Sequence, residues 1–326
     1  SALRNFLHHI LVAPSVAEAI LTGPVSTNFV EAVREVQQLY TNCCSTEAPD
    51  WSLEIPINDT QAGRDTKKEL DTLRWVAVRR SREYLLQQMA LLRRPQTHVR
   101  MLQVHGLLKY AALHDFLEDV GMSQEIFNVY CESMRGTLQS LFATYSQQLL
   151  NLDATRLSCT RTTSVIALDD ALLRGERTRG LKKRIDVFSL GTRVTDCLGS
   201  DGQFPPPIAA HVAALQKEQY PYERLFQSVI GHLVDAVTNE HVFCRQFFQR
   251  DAFAQLFPST LSLLTEQLEN YLFSCYDALC LLLMVSVTHS YRRLARQRKI
   301  HSLDSFFDKI THMLWPRLKT VIEGHL

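Results

Sequence analysis

Glycine and proline are scarce in this sequence, which holds 12 glycines and 11 prolines among 326 residues. Both residue types mark turns, and a fold built from many short strands needs many of them. Their scarcity argues against a turn-rich β fold and favours long helices. The length is sufficient for two domains or for one elongated array.

Phosphate-binding and catalytic motifs are also missing. The sequence contains no GxxxxGK(S/T) or GxGxxG loop, no GxSxG nucleophile elbow and no HExxH zinc motif. His8 and His9 are adjacent and point apart on a helix, whereas a metal pair needs a spacing of three or four. Asp169 and Asp170 form a carboxylate doublet, which is typical of a solvated turn when no cleft is evident. We therefore predict no catalytic residues, no metal site and no cofactor.

The sequence has almost no net charge, because 35 lysines and arginines balance 34 acidic residues. A net charge of +1 gives no overall attraction to nucleic acid or to a membrane surface. The eight cysteines form no CxxC pair, which indicates free thiols in a reducing compartment. The start has no basic region typical of a signal peptide. It also lacks Met, and the end falls within a helical pattern, so we expect a piece of a longer protein.

The stretch 259–299 is free of glycine and proline and is predicted to form one long helix. Its apolar residues recur at steps of three and four, the spacing of one helix face. At about 1.5 Å per residue a straight helix of this length spans roughly 60 Å. A membrane span is the alternative interpretation, but Asp277 and Glu269 interrupt the apolar run, and a carboxylate in a bilayer costs at least ~2.5 kcal/mol. We therefore predict a buried core helix.

Amphipathic patterns divide the chain into two helical halves joined by a polar stretch. We predict an N-terminal helical bundle over 1–152, a mostly irregular linker with a basic loop over 153–207, and a C-terminal helical bundle over 208–326. The other main helices are predicted over 15–21, 26–40, 66–94, 97–120, 123–152, 207–216, 221–238, 239–256 and 302–323. Residues 42–65 are predicted to form a loop. Pro316 is expected to kink the last helix.

The linker contains the candidate binding segment. A basic run there is followed by an alternation of apolar and polar residues, which is typical of a short extended segment that awaits a partner or packs back on the bundle. A solvated flexible loop is the alternative interpretation of the basic run, and binding of an acidic partner or of lipid headgroups is the functional one. A second basic cluster, 292–299, lies at a predicted helix C-terminus, where cations are favoured by the helix dipole. The predicted partner-binding residues are Lys182, Lys183, Arg184, Ile185, Phe188, Leu190, Arg193, Tyr220 and Tyr222.

Several stretches occur in an order that resembles one known family. They are LVAPSVAEAILTGPV, LLKY, KRIDVFSLGTR, QYPYERLFQS, ENYLFSCYDALCLLLM, SYRRLARQRKI and LDSFFDKITHMLWPRLKTVIE. Together they resemble the Vps52 family, subunits of the GARP and EARP vesicle-tethering complexes. The resemblance covers most of the chain and is strongest from residue 184 onward. It implies an all-α fold, an elongated rod of consecutive helical bundles of the tethering-complex (CATCHR-like) type.

The resemblance also implies a function. A member of this family is a non-catalytic subunit of a tethering complex in endosome-to-Golgi retrograde transport, located peripherally on the cytoplasmic face of the trans-Golgi network and endosomes. Expected partners are the other subunits and a Rab or Arf-like small GTPase or a SNARE, with peripheral membrane association and no nucleic acid. We further expect that the chain lacks the coiled-coil region through which such subunits assemble and the C-terminal rod of the family. The residues alone leave open a helical scaffold or adaptor of another assembly.

Overall fold

The computed structural model describes residues 10–45, 57, 60–94, 97–154, 192–199 and 204–323. Every regular element in these ranges is helical, and the single β-bridge there joins Asp153 to Tyr220. The predicted all-α class is therefore confirmed. None of the helices in the described ranges combines the length and hydropathy that a membrane span requires.

The chain divides into two compact units, each with its own core. The first comprises Ser1–Met134 and Phe243–Arg250, and the second comprises Arg135–Val242 and Asp251–Leu326. Helices Ser123–Leu150 and Tyr222–Phe247 each contribute residues to both units. The predicted three-part division at 152 and 207 remains a prediction.

The first unit begins with helices α1 (Pro14–Leu21), α2 (Thr27–Cys44) and α3 (Gln61–Leu91). Pro14 occupies the first turn of α1, where its missing N–H costs no hydrogen bond. Helix α3 starts five residues earlier than predicted, because the Thr60 side chain accepts a hydrogen bond from the Gly63 N–H and caps it. The loop prediction for 61–65 is therefore wrong, while most of 46–59 lies outside the described residues.

The next stretch is less regular than predicted. A helical turn at Val99–Met101 leads into a π-helical segment, Leu102–Leu107, and a 3₁₀ turn, Leu108–Tyr110, before α4 (Ala111–Asp119). Helix α5 (Ser123–Leu150) follows after Gly121, whose φ of 79° is accessible to glycine at little cost. Leu113 and Leu117 of α4 and Tyr130 of α5 are buried in the first unit's core.

The second unit contains residues 135–150 of α5 and the helices that follow. They are α6 (Arg193–Leu198), α7 (Ala210–Gln216), α8 (Tyr222–Phe247), α9 (Pro258–Ser274), α10 (Ala278–Gln297) and α11 (Asp304–Glu323). Residues 243–247 of α8 are the exception and belong to the first unit. The prediction of two separate helices over 221–256 is wrong: α8 runs unbroken to Phe247, and only one helical turn, Phe253–Leu256, follows. Helices α10 and α11 bury Met284, Val287, Phe307 and Leu314 against the unit's core.

The predicted single helix over 259–299 is broken, and this prediction is wrong. Helix α9 ends at Ser274 and α10 begins at Ala278, because Cys275 and Asp277 adopt extended backbone conformations. The Asp277 carboxylate accepts hydrogen bonds from the Leu279 and Cys280 N–H groups at 2.9 and 3.1 Å, so it caps α10. On the other side of the break, Nε of Arg317 donates a hydrogen bond of 2.9 Å to the Cys275 carbonyl oxygen, which has no acceptor role within α9 because that helix has ended.

Candidate functional site

Arg193 lies where three elements of the second unit meet. Its Nε donates to the Glu223 carboxylate at 2.6 Å, and its Nη2 donates to the Asp277 carboxylate at 2.9 Å. Arg193 opens α6, Glu223 lies in the first turn of α8, and Asp277 caps α10. The Arg193 guanidinium therefore links the short helix α6 to the two longer helices α8 and α10 by ion pairs.

The three side chains of this cluster differ in burial, and the burial of each determines how much its ion pair contributes to stability. The Glu223 side chain is only 1% exposed, that of Arg193 is 26% exposed and that of Asp277 is 39% exposed. Burial acts to lower the pKa of Arg193, but the hydrogen bonds and negative charges of Glu223 and Asp277 outweigh it and raise that pKa above its usual value. Since Glu223 also sits in the positive first turn of α8, its charge is stabilised from two sides.

Cys197, beside the cluster, has a thiol of low reactivity. Cys197 of α6 is fully buried, and burial followed by the negative charge of Glu223 raises the pKa of its thiol to about 12. The thiolate is the reactive form of cysteine, so a thiol with this pKa is a poor nucleophile. Cys197 therefore acts as a small hydrophobic side chain that holds α6 in place.

Tyr222 faces the interior of the second unit. It is buried, and its ring stacks on Tyr271 of α9 with an interplanar angle of 4°. The Tyr271 hydroxyl lies 3.6 Å from the Cys280 sulfur, and burial raises the pKa of Tyr271 above its usual value. The structure thus gives Tyr222 a packing role between helices, while contact with a partner stays a prediction.

Tyr220 joins the end of α5 to the start of α8. Its N–H donates to the Leu152 carbonyl at 3.0 Å, and its own carbonyl accepts from the Ala154 N–H at 3.1 Å. Its hydroxyl donates to the Glu218 carboxylate, and this hydrogen bond is the main reason that the pKa of Tyr220 is raised. Tyr220 is partly exposed and packs against the buried cluster that includes Leu149 and Leu152.

The basic cluster at 292–299 is largely neutralised within the second unit. Arg292 pairs with Asp304 at 3.0 Å and with Asp308 at 2.6 Å, and Arg298 pairs with Asp235 at 2.7 Å. Arg296 also contacts Asp304. Burial acts to raise the pKa of Asp304, but hydrogen bonds from the two arginines lower it below its usual value. These pairs favour a structural role for the cluster.

Most of the sequence-predicted binding residues lie outside the described residues. These are Lys182, Lys183, Arg184, Ile185, Phe188 and Leu190. The structure brings the other three, Arg193, Tyr220 and Tyr222, into the second unit around the start of α8. Sequence reasoning missed Glu223 and Asp277, although an aspartate within an apolar run is itself a signal for the start of a helix.

Two family models match the chain. The model described as "Vps52, C-terminal" matches residues 132–326, and the model described as "Vps52/Sac2 family, coiled-coil" matches residues 1–117. The match over residues 1–117 contradicts the expectation that the coiled-coil region is absent, and the match over 132–326 shows that the chain includes residues of the family's C-terminal region. In the described part of the coiled-coil match, α2 and α3 pack against each other within the first unit.

Curated relatives match along nearly the whole chain. "Vacuolar protein sorting-associated protein 52 A" of Arabidopsis thaliana is 30% identical over 329 residues, which cover 100% of this chain and 45% of that protein. The homologues of Mus musculus and Homo sapiens are 29% and 28% identical, each covering 96% of this chain and 43% of the relative. The chain thus spans less than half the length of these relatives. No solved structure matches it.

Proposed function

The chain belongs to the Vps52 family, and we propose that it forms part of a non-catalytic subunit of a multisubunit vesicle-tethering complex in endosome-to-Golgi retrograde transport. Its site of action is the cytoplasmic face of the trans-Golgi network and endosomes, with peripheral membrane association. The observation that carries the proposal is the family match over 132–326, which contains all of the second helical unit. The printed names of the relatives, which refer to vacuolar protein sorting, agree with a role in protein transport.

The partners that we propose are the other subunits of the complex and either a Rab or Arf-like small GTPase or a SNARE. Such interactions need surfaces with an apolar centre and a polar rim rather than a catalytic cleft. The titratable groups around Arg193 support this choice, because they are paired with one another and the neighbouring thiol is unreactive. The arrangement is suited to holding a segment in place.

We place the GTPase- or SNARE-binding region at residues 182–193, together with the adjoining surface at Tyr220. Two observations support this placement. Arg193, the last residue of this stretch, is fixed to α8 and α10 by two ion pairs. Tyr220 is held near the surface immediately before α8 by the backbone bridge to Asp153. Because the Arg193 side chain is already held in place, it loses less conformational entropy when a partner binds.

The experiment is a binding assay of the purified chain against nucleotide-locked Rab and Arf-like GTPases and SNARE cytoplasmic domains. Reversing the charges of Lys182, Lys183 and Arg184 to glutamate should weaken binding of the partner found at least about tenfold, because unlike charges become like charges at the contact. A control variant reverses three exposed lysines and arginines elsewhere, Lys68, Arg100 and Lys319. Equal affinities of the two variants would show that residues 182–184 do not form the binding region.

A further inference from the structure

His114 in α4 is a fully buried polar side chain. Its exposed fraction is 0%, and neither Nδ1 nor Nε2 has a partner among the described residues. The rings of Phe247 and Phe248 lie 5.1 and 5.2 Å from the imidazole, so the apolar side of the site is closed. An unpaired buried polar group costs about 1–3 kcal/mol, which makes an unused imidazole at this position a feature that calls for a ligand.

Two carboxylates of the same helix lie near the imidazole. Ligand atoms of His114, Asp115 and Glu118 all lie within 4.8 Å of one another. Nδ1 of His114 is 3.9 Å from Oδ1 of Asp115, which is too far for a hydrogen bond. Residues 114 and 118 are four apart and therefore share one helix face, whereas Asp115 reaches the same point from the side.

We propose that His114, Glu118 and Asp115 form a binding site for a divalent transition metal ion of the Zn²⁺ class. A neutral imidazole is the form that binds such a metal. Ca²⁺ and Mg²⁺ take oxygen ligands almost exclusively, so the imidazole selects against them. The proposal is independent of the proposed tethering function and concerns the first unit alone.

The geometry needs only a small adjustment to accommodate the ion. Ligands about 2.0–2.1 Å from a tetrahedral zinc ion are separated from one another by roughly 3.3 Å. The three ligand atoms, now within 4.8 Å, must therefore close by about an ångström and a half. The Asp115 and Glu118 side chains are exposed and can make this movement by rotation, while His114 stays fixed by the two phenylalanine rings. Solvent water can complete the coordination.

One neighbouring charge opposes the metal. The guanidinium of Arg250 is close enough to His114 to repel a cation bound there. It is held over the Phe127 ring at 4.6 Å and donates to the Gln124 side chain at 2.8 Å, so it does not pair with Glu118 or Asp115. We therefore expect weaker binding than at a structural zinc site with four protein ligands.

The test is a titration of the purified chain with Co²⁺, a spectroscopic substitute for Zn²⁺, followed by visible absorption and calorimetry. Glu118→Gln should weaken binding at least about tenfold, because even the loss of an outer partner of a metal ligand costs 10–100-fold. Asp115→Asn should have a smaller effect, since Asp115 lies off the shared face. Glu69→Gln, which removes an exposed carboxylate from α3, is the matched control and should leave binding unchanged.

The free cysteines of the chain are the competing ligands, and the spectrum separates them from the proposed site. Coordination by imidazole and carboxylate gives weak visible bands without the intense near-ultraviolet charge transfer of a cobalt–thiolate bond. All variants keep His114, so their thermal unfolding in the absence of metal should match that of the parent chain. Binding that shows thiolate charge transfer, that survives Glu118→Gln unchanged, or that is not detected with excess Co²⁺ would overturn the proposal.

Discussion

Replacement of Arg193 by alanine should destabilise the second unit strongly. The substitution leaves the Glu223 carboxylate, 1% exposed, without its cation, and removal of one partner from a buried ion pair typically costs about 3–5 kcal/mol. The second pair, with Asp277, adds little because that carboxylate is 39% exposed and exposed pairs contribute about 0–1 kcal/mol. Arg193 is itself partly exposed, so we expect the lower end, about 3 kcal/mol.

Urea unfolding and calorimetry measure this loss. For a unit of this size 1 kcal/mol corresponds to roughly 2–4 °C in Tm, so we expect Tm to fall by roughly 6–12 °C. The control is Arg79→Ala, which removes an exposed pair with Glu83 at 3.6 Å and should cost at most about 0.5 kcal/mol. Equal losses for the two variants would refute the view that Arg193 anchors α6.

A double variant distinguishes the loss of attraction from the burial of an unpaired charge. When both members of a buried pair are replaced by apolar residues of similar volume, stability is often restored. Arg193→Met combined with Glu223→Leu should therefore be more stable than Arg193→Met alone. If the double variant is the less stable of the two, the unpaired Glu223 charge is not the source of the loss.

Three further predictions concern other parts of the second unit. A Cβ at position 231 would lie 2.7 Å from the Tyr291 hydroxyl oxygen, so Gly231→Ala should lower the free energy of unfolding in urea by about 1–3 kcal/mol. Adding Tyr291→Phe to the same chain should recover part of this loss. Strictly additive losses from the two substitutions would contradict the clash. Burial lowers the pKa of His232, so the unfolded chain takes up a proton before the folded chain does as pH falls below about 6.5. The stability contributed by neutral His232 is therefore fully present above that pH and should decrease towards pH 5, and the decrease should be smaller in His232→Phe. The same pH dependence of stability in both proteins would contradict this prediction. Burial raises the pKa of the Cys197 thiol to about 12, so Cys197 should resist alkylation at pH 8 in the folded chain, whereas the half-exposed Cys44 should react. Mass spectrometry measures the two labelling rates. Similar rates would show that the folded chain does not protect Cys197.

The helices could be predicted from the sequence because each carries an apolar stripe that is legible along the chain. Leu70, Leu85 and Met89 of α3 recur at helical spacing and are all fully buried. The break at 275–277 was missed for a physical reason. No glycine or proline marks it, and it depends on the Asp277 cap and on Arg317, which lies 42 residues beyond Cys275 and binds its carbonyl.

The candidate site was less accessible to sequence reasoning. Arg193 follows an alternating apolar segment and was interpreted as a residue facing a partner. Its two carboxylate partners lie 30 and 84 residues away, and such pairings exist only once α6, α8 and α10 are packed together. Tyr222 carries a polar hydroxyl, which is compatible with a surface position, but its ring stacks on Tyr271 of α9, a helix that comes much later in the chain.

The most direct measurement of the central claim is co-purification. When this chain is expressed together with the other subunits of the proposed tethering complex from the same organism, we predict that it elutes with them in size-exclusion chromatography, because a coiled-coil family model matches residues 1–117. Elution of the folded chain alone, with the other subunits assembled without it, would contradict a role as part of a tethering-complex subunit.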